Sequence, residues 1–364
     1  MLKSLLRDRL LLILLILAIL LKLCSLREDW VERYYTYGFY PFLSTLMRFL
    51  LGWIPISIGD IVYIAAFLFL VVKAWKLLRL LAKRKVKEYL SWVLFRKYLR
   101  LMLWIYIVFN ISWGLNYDRR GIADQLQLQV QPYSKEDLFH LTGVLEQRLN
   151  LYAACEDSVK RLELNRNPFL FSEAIRNYDS VSLHYSFLNY TFPSIKASLF
   201  SSVGHYFGFS GYFNPFTAEA QINTTEPVFN KPFVIGHEIA HQLGYGKENE
   251  ASFVSYLAGK NSDNNDFKYS VYYELFFNAF IECAMTRDSV RTNEMRSSLH
   301  PRARIDKLDE LKFRMKTKNK LQPFVSDFYN GYLKLNRQPR GLATYNEVTA
   351  WLVAYMKRYG EEAL

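Results

Sequence analysis

The apolar first third of the chain most limits what this sequence can fold into. Residues 10–21 are apolar without a break, and two more apolar blocks cover residues 54–72 and 99–115. A helix needs about 20 mostly apolar residues to cross a bilayer, and Lys22 can extend the first block by reaching the headgroups. We therefore predict transmembrane helices at about 10–26, 54–72 and 99–115. The alternatives are a cleaved signal peptide for the first block and buried helices of a soluble core for the second.

The positive charge of the chain is concentrated beside these blocks. The net charge is +12, and residues 73–98 contain nine Lys or Arg against one acid, whereas residues 27–52 balance three Arg with three acids. Cytoplasmic loops carry an excess of Lys and Arg, so the N-terminus and loop 73–98 are predicted to be cytoplasmic. An odd number of spans in the inner membrane then places residues 117–364 on the extracytoplasmic, periplasmic side. Because contact with lipid explains the charge, nucleic-acid binding is not expected.

Residues 117–364 are predicted to form one domain beyond a membrane domain of residues 1–116. Helical periodicity and capping patterns predict helices at 134–157, 269–290 and 345–360. Residues 211–232 lack that period and predict extended chain, either an ordinary loop or an exposed edge strand at 218–223 to which a peptide could add itself. The predicted fold class is mainly α, with three transmembrane helices followed by a mostly helical α+β domain that has a small sheet or edge strand.

The segment V-I-G-H-E-I-A-H-Q-L-G-Y, residues 234–245, carries the chemistry. Helix positions i and i+4 share one face, so His237 and His241 can bind one ion, and Glu238 lies where it can act as a general base. Apolar residues on the other side of this helix predict that it is buried. The alternative is a structural helix with two surface histidines. Cys155 and Cys283 could pair, but no Cys/His cluster exists, so a metal would need His and carboxylate ligands.

A catalytic zinc site needs a third protein ligand and one open position. Gly244 allows the chain to turn back after the helix, and Glu248 and Glu250 follow it. In gluzincin-like peptidases with an E-x-x-A-D or E-x-x-A-N pattern, the first Glu is a ligand and the residue four positions on orients a histidine. By that likeness Glu248 is the third ligand and Ser252 the orienting residue, with Glu250 as the fallback ligand.

Charge that develops on a substrate carbonyl needs a further hydrogen-bond donor. Tyr269, Tyr272 and Tyr273 lie on the next predicted helix and are candidates for this role. Aromatic residues in such a helix more often belong to the core, so both interpretations stay open.

At these residues the chain resembles the domain-of-unknown-function family 3810. The resemblance depends on P-F-T-A-E-A at 215–220, H-E-I-A-H-Q-L-G at 237–244 and E-N-E-A at 248–251. It extends to Y-P-F-L-S-T-L-M-R-F-L-L-G before the second block, F-N-I-S-W-G-L-N-Y-D-R-R-G after the third, and D-F-Y-N-G-Y-L-K-L-N-R-Q-P-R-G near the end. The resemblance implies three spans, an external zincin-like domain and a zinc metallopeptidase site, and it adds Glu219 as a candidate to contact substrate or support the ligands.

The predicted function is that of a membrane-anchored zinc metallopeptidase. Zinc on His237, His241 and Glu248 would activate water for amide hydrolysis with Glu238 as the base, while the strand at 218–223 holds the substrate. The expected partners are a peptide or protein substrate near the membrane surface and the lipid bilayer. The competing hypothesis is a non-catalytic membrane protein whose zinc stabilises an extracytoplasmic binding domain.

Overall fold

The computed structural model describes residues 8–83, 91–155 and 157–364, and this part of the chain is mainly helical with one small sheet. The longer α-helices are Arg9–Ser25 (α1), Tyr40–Leu51 (α2), Ile58–Ala82 (α3), Trp92–Ser112 (α4), Lys135–Ala154 (α5), Asn167–Ser182 (α6), Lys231–Gln242 (α7), Glu248–Lys260 (α8), Asn265–Met285 (α9), Ser289–Ser298 (α10), Pro301–Thr317 (α11), Gln322–Leu335 (α12) and Val348–Tyr359 (α13). The strands are Ile195–Ala197 (β1), Gly211–Asn214 (β2) and Glu219–Ile222 (β3). A π-helix, Val31–Phe39, leads into α2, and short helical turns occupy Glu28–Trp30, Gly114–Asp118, Ile122–Gln125, Ser158–Leu162, Glu163–Asn165, Ser186–Leu188, Ser201–Gly204, His205–Phe207, Gly341–Glu347 and Glu361–Ala363.

Local sequence explains where several of these helices begin and end. The predicted helices at 134–157, 269–290 and 345–360 are present as α5, α9 and α13, with shifted ends. Ser134 forms a capping box with Asp137 at the start of α5, and the Asn264 side chain caps α9. Helix α9 stops before its predicted end, because Arg287 adopts a positive φ of 62°, and Gly360 with a φ of 85° ends α13.

Among the described residues, one helix could cross a bilayer by its length and composition, or two if a bent pair counts as one span, and the three predicted spans stay a prediction. Helix α3 is long and apolar enough to cross a bilayer by itself, and none of its most apolar stretch is buried. Helix α1 qualifies only together with Glu28–Leu51, and that pair is bent by 97°. The helix at the predicted span 54–72 begins after the Ser57 cap and continues ten residues past position 72, into the basic stretch. Residues 84–90 of the predicted loop lie outside the described residues.

The sheet corrects the predicted edge strand. Its order is β1-β3-β2, with β1 parallel and β2 antiparallel to β3, so the strand predicted at 218–223 is central and fully buried. The edge strands are β1 and β2. Asn223 N–H donates to Ser210 O at 2.9 Å, and hydrogen-bonded pairs alternate along an antiparallel ladder, so the peptide groups of Gly211 and Phe213 point away from β3.

One core holds the helices and this sheet together. Helix α7 packs between α8 and β3, and α9 packs against α5, α8 and α7. Their buried side chains, together with those of α6 and α13, form a single apolar cluster. The sheet and α8 thereby fix α7 from two sides.

Two buried carboxylates join the sheet to the first turn of α3. Glu219 accepts hydrogen bonds from Ser57 Oγ at 3.2 Å and from the backbone N–H groups of Ile58 and Gly59 at 3.0 and 2.6 Å. A helix N-terminus has unpaired N–H groups and partial positive charge, so it stabilises a carboxylate. Glu219, a candidate to contact substrate or to support the ligands, thus joins the sheet to α3 and is not among the described residues that line the cavity at the metal-ligand candidates.

The second carboxylate, Asp60, lies in the first turn of α3 and extends toward the segment that follows β1. It accepts hydrogen bonds from the backbone N–H of Leu199 at 2.7 Å, from Ser198 Oγ at 3.2 Å and from the Tyr212 hydroxyl. Asp60 and Glu219 are both 0% exposed. The predicted membrane domain and the predicted external domain therefore share a buried polar interface.

We expect Glu219→Gln to destabilise the full-length protein in detergent by about 1–3 kcal/mol, because it removes a buried charge to which five groups donate, including Thr217 Oγ1 and the Gln221 side-chain amide. The free energy of unfolding from denaturant titration measures this. The matched control is Glu362→Gln, since the Glu362 side chain is 99% exposed. Equal stability of the two variants would contradict the structural role of Glu219.

Candidate metal centre

Helix α7 carries the H-E-x-x-H motif into the interior. His237, Glu238 and His241 are 5–7% exposed, so the alternative of a surface helix is not what the chain adopts. Pro232 occupies the first turn of α7, where a missing N–H has no cost. At the other end Gly244 adopts a φ of 93°, which turns the chain toward α8, as the sequence analysis expected.

This turn brings Glu248 to the two histidines. Glu248 Oε2 lies 3.0 Å from His237 Nε2 and 3.4 Å from His241 Nε2. One donor atom from each of the three residues lies within 4.8 Å of the others, so the cluster could hold a metal ion. Imidazole nitrogen and carboxylate oxygen suit zinc and several other divalent metals, so the ligand set fits without choosing among them.

Neighbouring groups fix the orientation of each ligand. His241 Nδ1 lies 2.7 Å from the carbonyl oxygen of Tyr245, and His237 Nδ1 lies 3.3 Å from Ser252 Oγ. Such contacts direct Nε2 of each ring toward a metal. Ser252 therefore stands where the E-x-x-A-S likeness predicts it. The Tyr329 hydroxyl donates to Glu248 Oε1 at 2.8 Å and holds that carboxylate.

The fallback ligand Glu250 lies elsewhere. Its Oε1 atom is 3.3 Å from Lys247 Nζ, and the carboxylate packs onto Gly121, where a Cβ atom would approach it to 2.0 Å. Helix geometry explains this difference, because residues two apart on α8 point to different sides.

The tyrosines predicted as oxyanion donors point into the core. The Tyr269 hydroxyl donates to Asp306 at 2.6 Å and the Tyr273 hydroxyl to Glu310 at 2.8 Å, while the Tyr272 hydroxyl contacts the C-terminal residue. None of the three is among the described residues that line the cavity at the cluster. This corrects the expectation in favour of the core interpretation, because buried hydroxyls require partners and these have found them in the core.

The cluster is electrostatically coupled. Burial acts strongly on all three ligands, but the Glu248 carboxylate outweighs it at His241 and raises the pKa of that imidazole to about 9. Burial lowers the pKa of His237, and the two imidazoles keep the pKa of Glu248 well below its usual range despite burial. Without a metal, a proton on His241 therefore balances the buried carboxylate.

Glu238 stands apart from the three ligands in its hydrogen bonding. Burial raises its pKa to about 8, and its buried Oε2 atom has no hydrogen-bond partner among the described residues. Gly211 of β2 lies against it, and a Cβ at that glycine would come within 2.8 Å of Glu238 Oε1. This unpaired oxygen lies beside a cluster that could hold a metal ion, and it is available to accept a hydrogen bond or a proton.

A cavity of about 470 Å³ opens onto the cluster, and nine of its 24 lining residues are Trp, Tyr or Phe. Sequence reasoning named none of these as site residues, and four of them, Trp113, Tyr117, Tyr329 and Tyr332, pack around the cluster. The Trp113 ring meets His241 edge-on at 5.9 Å, and the hydroxyls of Tyr117 and Tyr332 lie 3.1 Å apart. All four lie in the two segments F-N-I-S-W-G-L-N-Y and D-F-Y-N-G-Y that carried the family resemblance, and this was the available signal.

Gln242, the glutamine of the H-Q-L-G sequence, fixes the end of α7. The Gln242 amide donates to the carbonyls of Ser194 and Ala218 at 2.8 and 2.6 Å, which ties α7 to the sheet. The backbone carbonyl of Gln242 accepts hydrogen bonds from the Tyr40 and Ser44 hydroxyls of α2, both at 3.0 Å. The end of the ligand helix is thus fixed to both parts of the chain.

Comparison with known proteins gives one result. No match was found among curated proteins, and none among solved structures. The model of one family, described as a protein of unknown function (DUF3810), matches residues 35–353, which include the cavity-lining aromatic residues and all three ligands. The chain belongs to the DUF3810 family.

Proposed function

We propose that this protein is a membrane-anchored zinc metallopeptidase of the gluzincin type. One observation carries the proposal: the buried, unpaired oxygen of Glu238 lies on the wall of a cavity shared with His237, His241 and Glu248. A site that only stabilises a fold usually fills all four metal positions with protein ligands. Three ligands, a free carboxylate and an open cavity favour hydrolysis instead.

Each residue of the site has its own role in the proposed amide hydrolysis. A bound zinc ion supplies Lewis acidity, which polarises a carbonyl group and makes water more acidic. Glu238 removes the proton of the attacking water and delivers it to the leaving amine. Ser252 and the Tyr245 carbonyl hold the two imidazoles in place, and Tyr329 holds Glu248 and offers a hydroxyl at the cavity wall.

The substrate backbone adds itself to β2 rather than to the strand predicted at 218–223. The outward peptide groups of Gly211 and Phe213 can pair with an extended peptide, as in other cases of β-strand addition. Gly211 lies against Glu238, so such a peptide would pass the general base. The aromatic wall favours substrates with apolar side chains.

The anchor places this site at a membrane surface. We keep the predicted arrangement of three spans, with the N-terminus in the cytoplasm and the site outside. Helices α1 and α4 pack against each other, and Trp113 of the cavity wall follows α4 directly. The proposed substrates are therefore peptides or proteins close to the extracytoplasmic surface of the inner membrane.

The metal is tested first. We expect about one zinc per chain in the full-length protein purified in detergent, measured by elemental analysis. Glu248→Gln should lose most of it, because it removes the ligand that balances two imidazoles, whereas the matched variant Glu250→Gln should retain it. Loss of zinc from both variants, or from neither, would contradict the proposed ligand set.

Metal binding is also expected to depend on pH. His241 has a pKa of about 9 without metal, so zinc has to displace its proton at neutral pH. Zinc affinity should then rise by about tenfold per pH unit from pH 7 and level off near the pKa of His241. Calorimetry in buffers of different ionisation enthalpy should record release of about one proton at pH 7. Affinity that does not change with pH would show that His241 is already neutral.

Catalysis is tested at Glu238. We expect Glu238→Gln to lower the rate of hydrolysis of a peptide mixture by about 10²–10⁴-fold, because the amide cannot accept the water's proton. Zinc content and the unfolding midpoint should be unchanged. Glu146→Gln is the control, since Glu146 is another buried glutamate, bonded to Ser298. Zinc-loaded protein that cleaves no peptide would favour the alternative of a zinc-stabilised binding domain.

A further inference from the structure

Helix α12 has two different faces. Its inner face lines the metal-site cavity through Val325, Ser326, Tyr329 and Tyr332. Its outer face carries Phe324, Phe328 and Leu335, which are 74%, 79% and 86% exposed. Large apolar side chains that share a helix face and are this exposed mark an interaction surface.

The neighbours of α12 indicate what covers that surface. The Tyr332 ring packs on Phe109, three residues before the end of α4, at 6.5 Å. Just beyond α12, the Arg337 guanidinium donates to the carbonyl of Ser25, the last residue of α1, at 3.1 Å. Helix α12 therefore borders the same ends of the apolar helices that lead into the external domain.

The charge around α12 has the sign that a lipid surface favours. Residues 312–340 contain eight basic residues and one acid, Asp327. Four of the eight pair with acidic side chains outside this stretch, namely Lys312, Arg314, Arg337 and Arg340. The other four are Lys316, Lys318, Lys320 and Lys334. A helix with basic flanks and an apolar stripe is typical of segments that lie in the headgroup region of anionic membranes.

We propose that α12 is an interfacial helix that inserts Phe324, Phe328 and Leu335 into an anionic lipid bilayer while its other face forms a wall of the metal site. The occupant of the exposed stripe is lipid. The inference depends on the membrane association in the proposed function, and it is independent of zinc and of catalysis.

If α12 is inserted, only a few side chains separate the bilayer from the metal ligands. Tyr329 sits one residue after Phe328 and donates to Glu248 at 2.8 Å, and its ring stacks on Tyr332 at 6.0 Å. Because these rings project from the same helix that carries the exposed stripe, the depth of α12 in the bilayer sets the position of the cavity wall.

A fluorescent label tests the proposal in the full-length protein, reconstituted in nanodiscs of phosphatidylcholine and phosphatidylglycerol. The exposed Cys155 is replaced by Ser, and an environment-sensitive dye is attached at Phe328→Cys or Phe324→Cys. The control is Val290→Cys on α10, because Val290 is also highly exposed, at 67%. We expect brominated lipid to quench the dye at positions 324 and 328 several-fold more than at position 290.

Each outcome decides the proposal. Weak quenching by brominated lipid at both 324 and 328, with full access to aqueous iodide, would overturn it. Protection from iodide without quenching by lipid would also overturn it, in favour of a protein partner or a second copy. Quenching at 324 and 328 in a protein that binds no zinc would support the interfacial helix and separately contradict the metallopeptidase.

Discussion

The site depends on the charge balance around one buried carboxylate. Glu248 is 3% exposed and lies between two imidazoles that are hardly more exposed. An uncompensated charge at such a depth has a large desolvation cost, so the group needs a proton, a cation or several hydrogen-bond donors beside it. His241 meets this requirement when no metal is present. A divalent ion would meet it as well, because it would neutralise the carboxylate and use both imidazoles as ligands.

The same requirement applies to two other buried carboxylates, Glu219 and Asp60. Glu219 and Asp60 are separated by the junction between the sheet and α3, and each accepts hydrogen bonds from the other side of that junction. Neither uses a basic side chain among these contacts. Backbone N–H groups and hydroxyls are the donors across the junction, and they give it a fixed register rather than a loose apolar contact.

The features predicted from the sequence were those set by short-range geometry. A spacing of four residues on one helix places His237 beside His241 in any fold, and Gly244 supplies the turn that lets Glu248 reach them. Capping patterns likewise located most of α5. These features depend on neighbours within about a dozen residues, so a single sequence contains them.

The remaining features depended on distant contacts. Trp113 and Tyr329 reach the cluster from more than 80 residues away, and nothing in their local sequence separates them from core residues such as Tyr269. The central place of β3 was missed for the same reason. An isolated extended segment does not reveal whether one or two strands will pair with it, and both β1 and β2 do.

The junction at Glu219 and Asp60 has a consequence for dividing the molecule. A cut near residue 117 would separate a hydrophobic anchor from a hydrophilic remainder, and by composition alone both pieces look self-sufficient. The cut would leave Glu219 in the sheet without Ser57 and the N-terminus of α3, and Gln242 without the hydroxyls of α2. The N-terminal helices α2 and α3 thus complete the interior of the half that carries the candidate metal centre, and the smallest intact unit of this protein includes them.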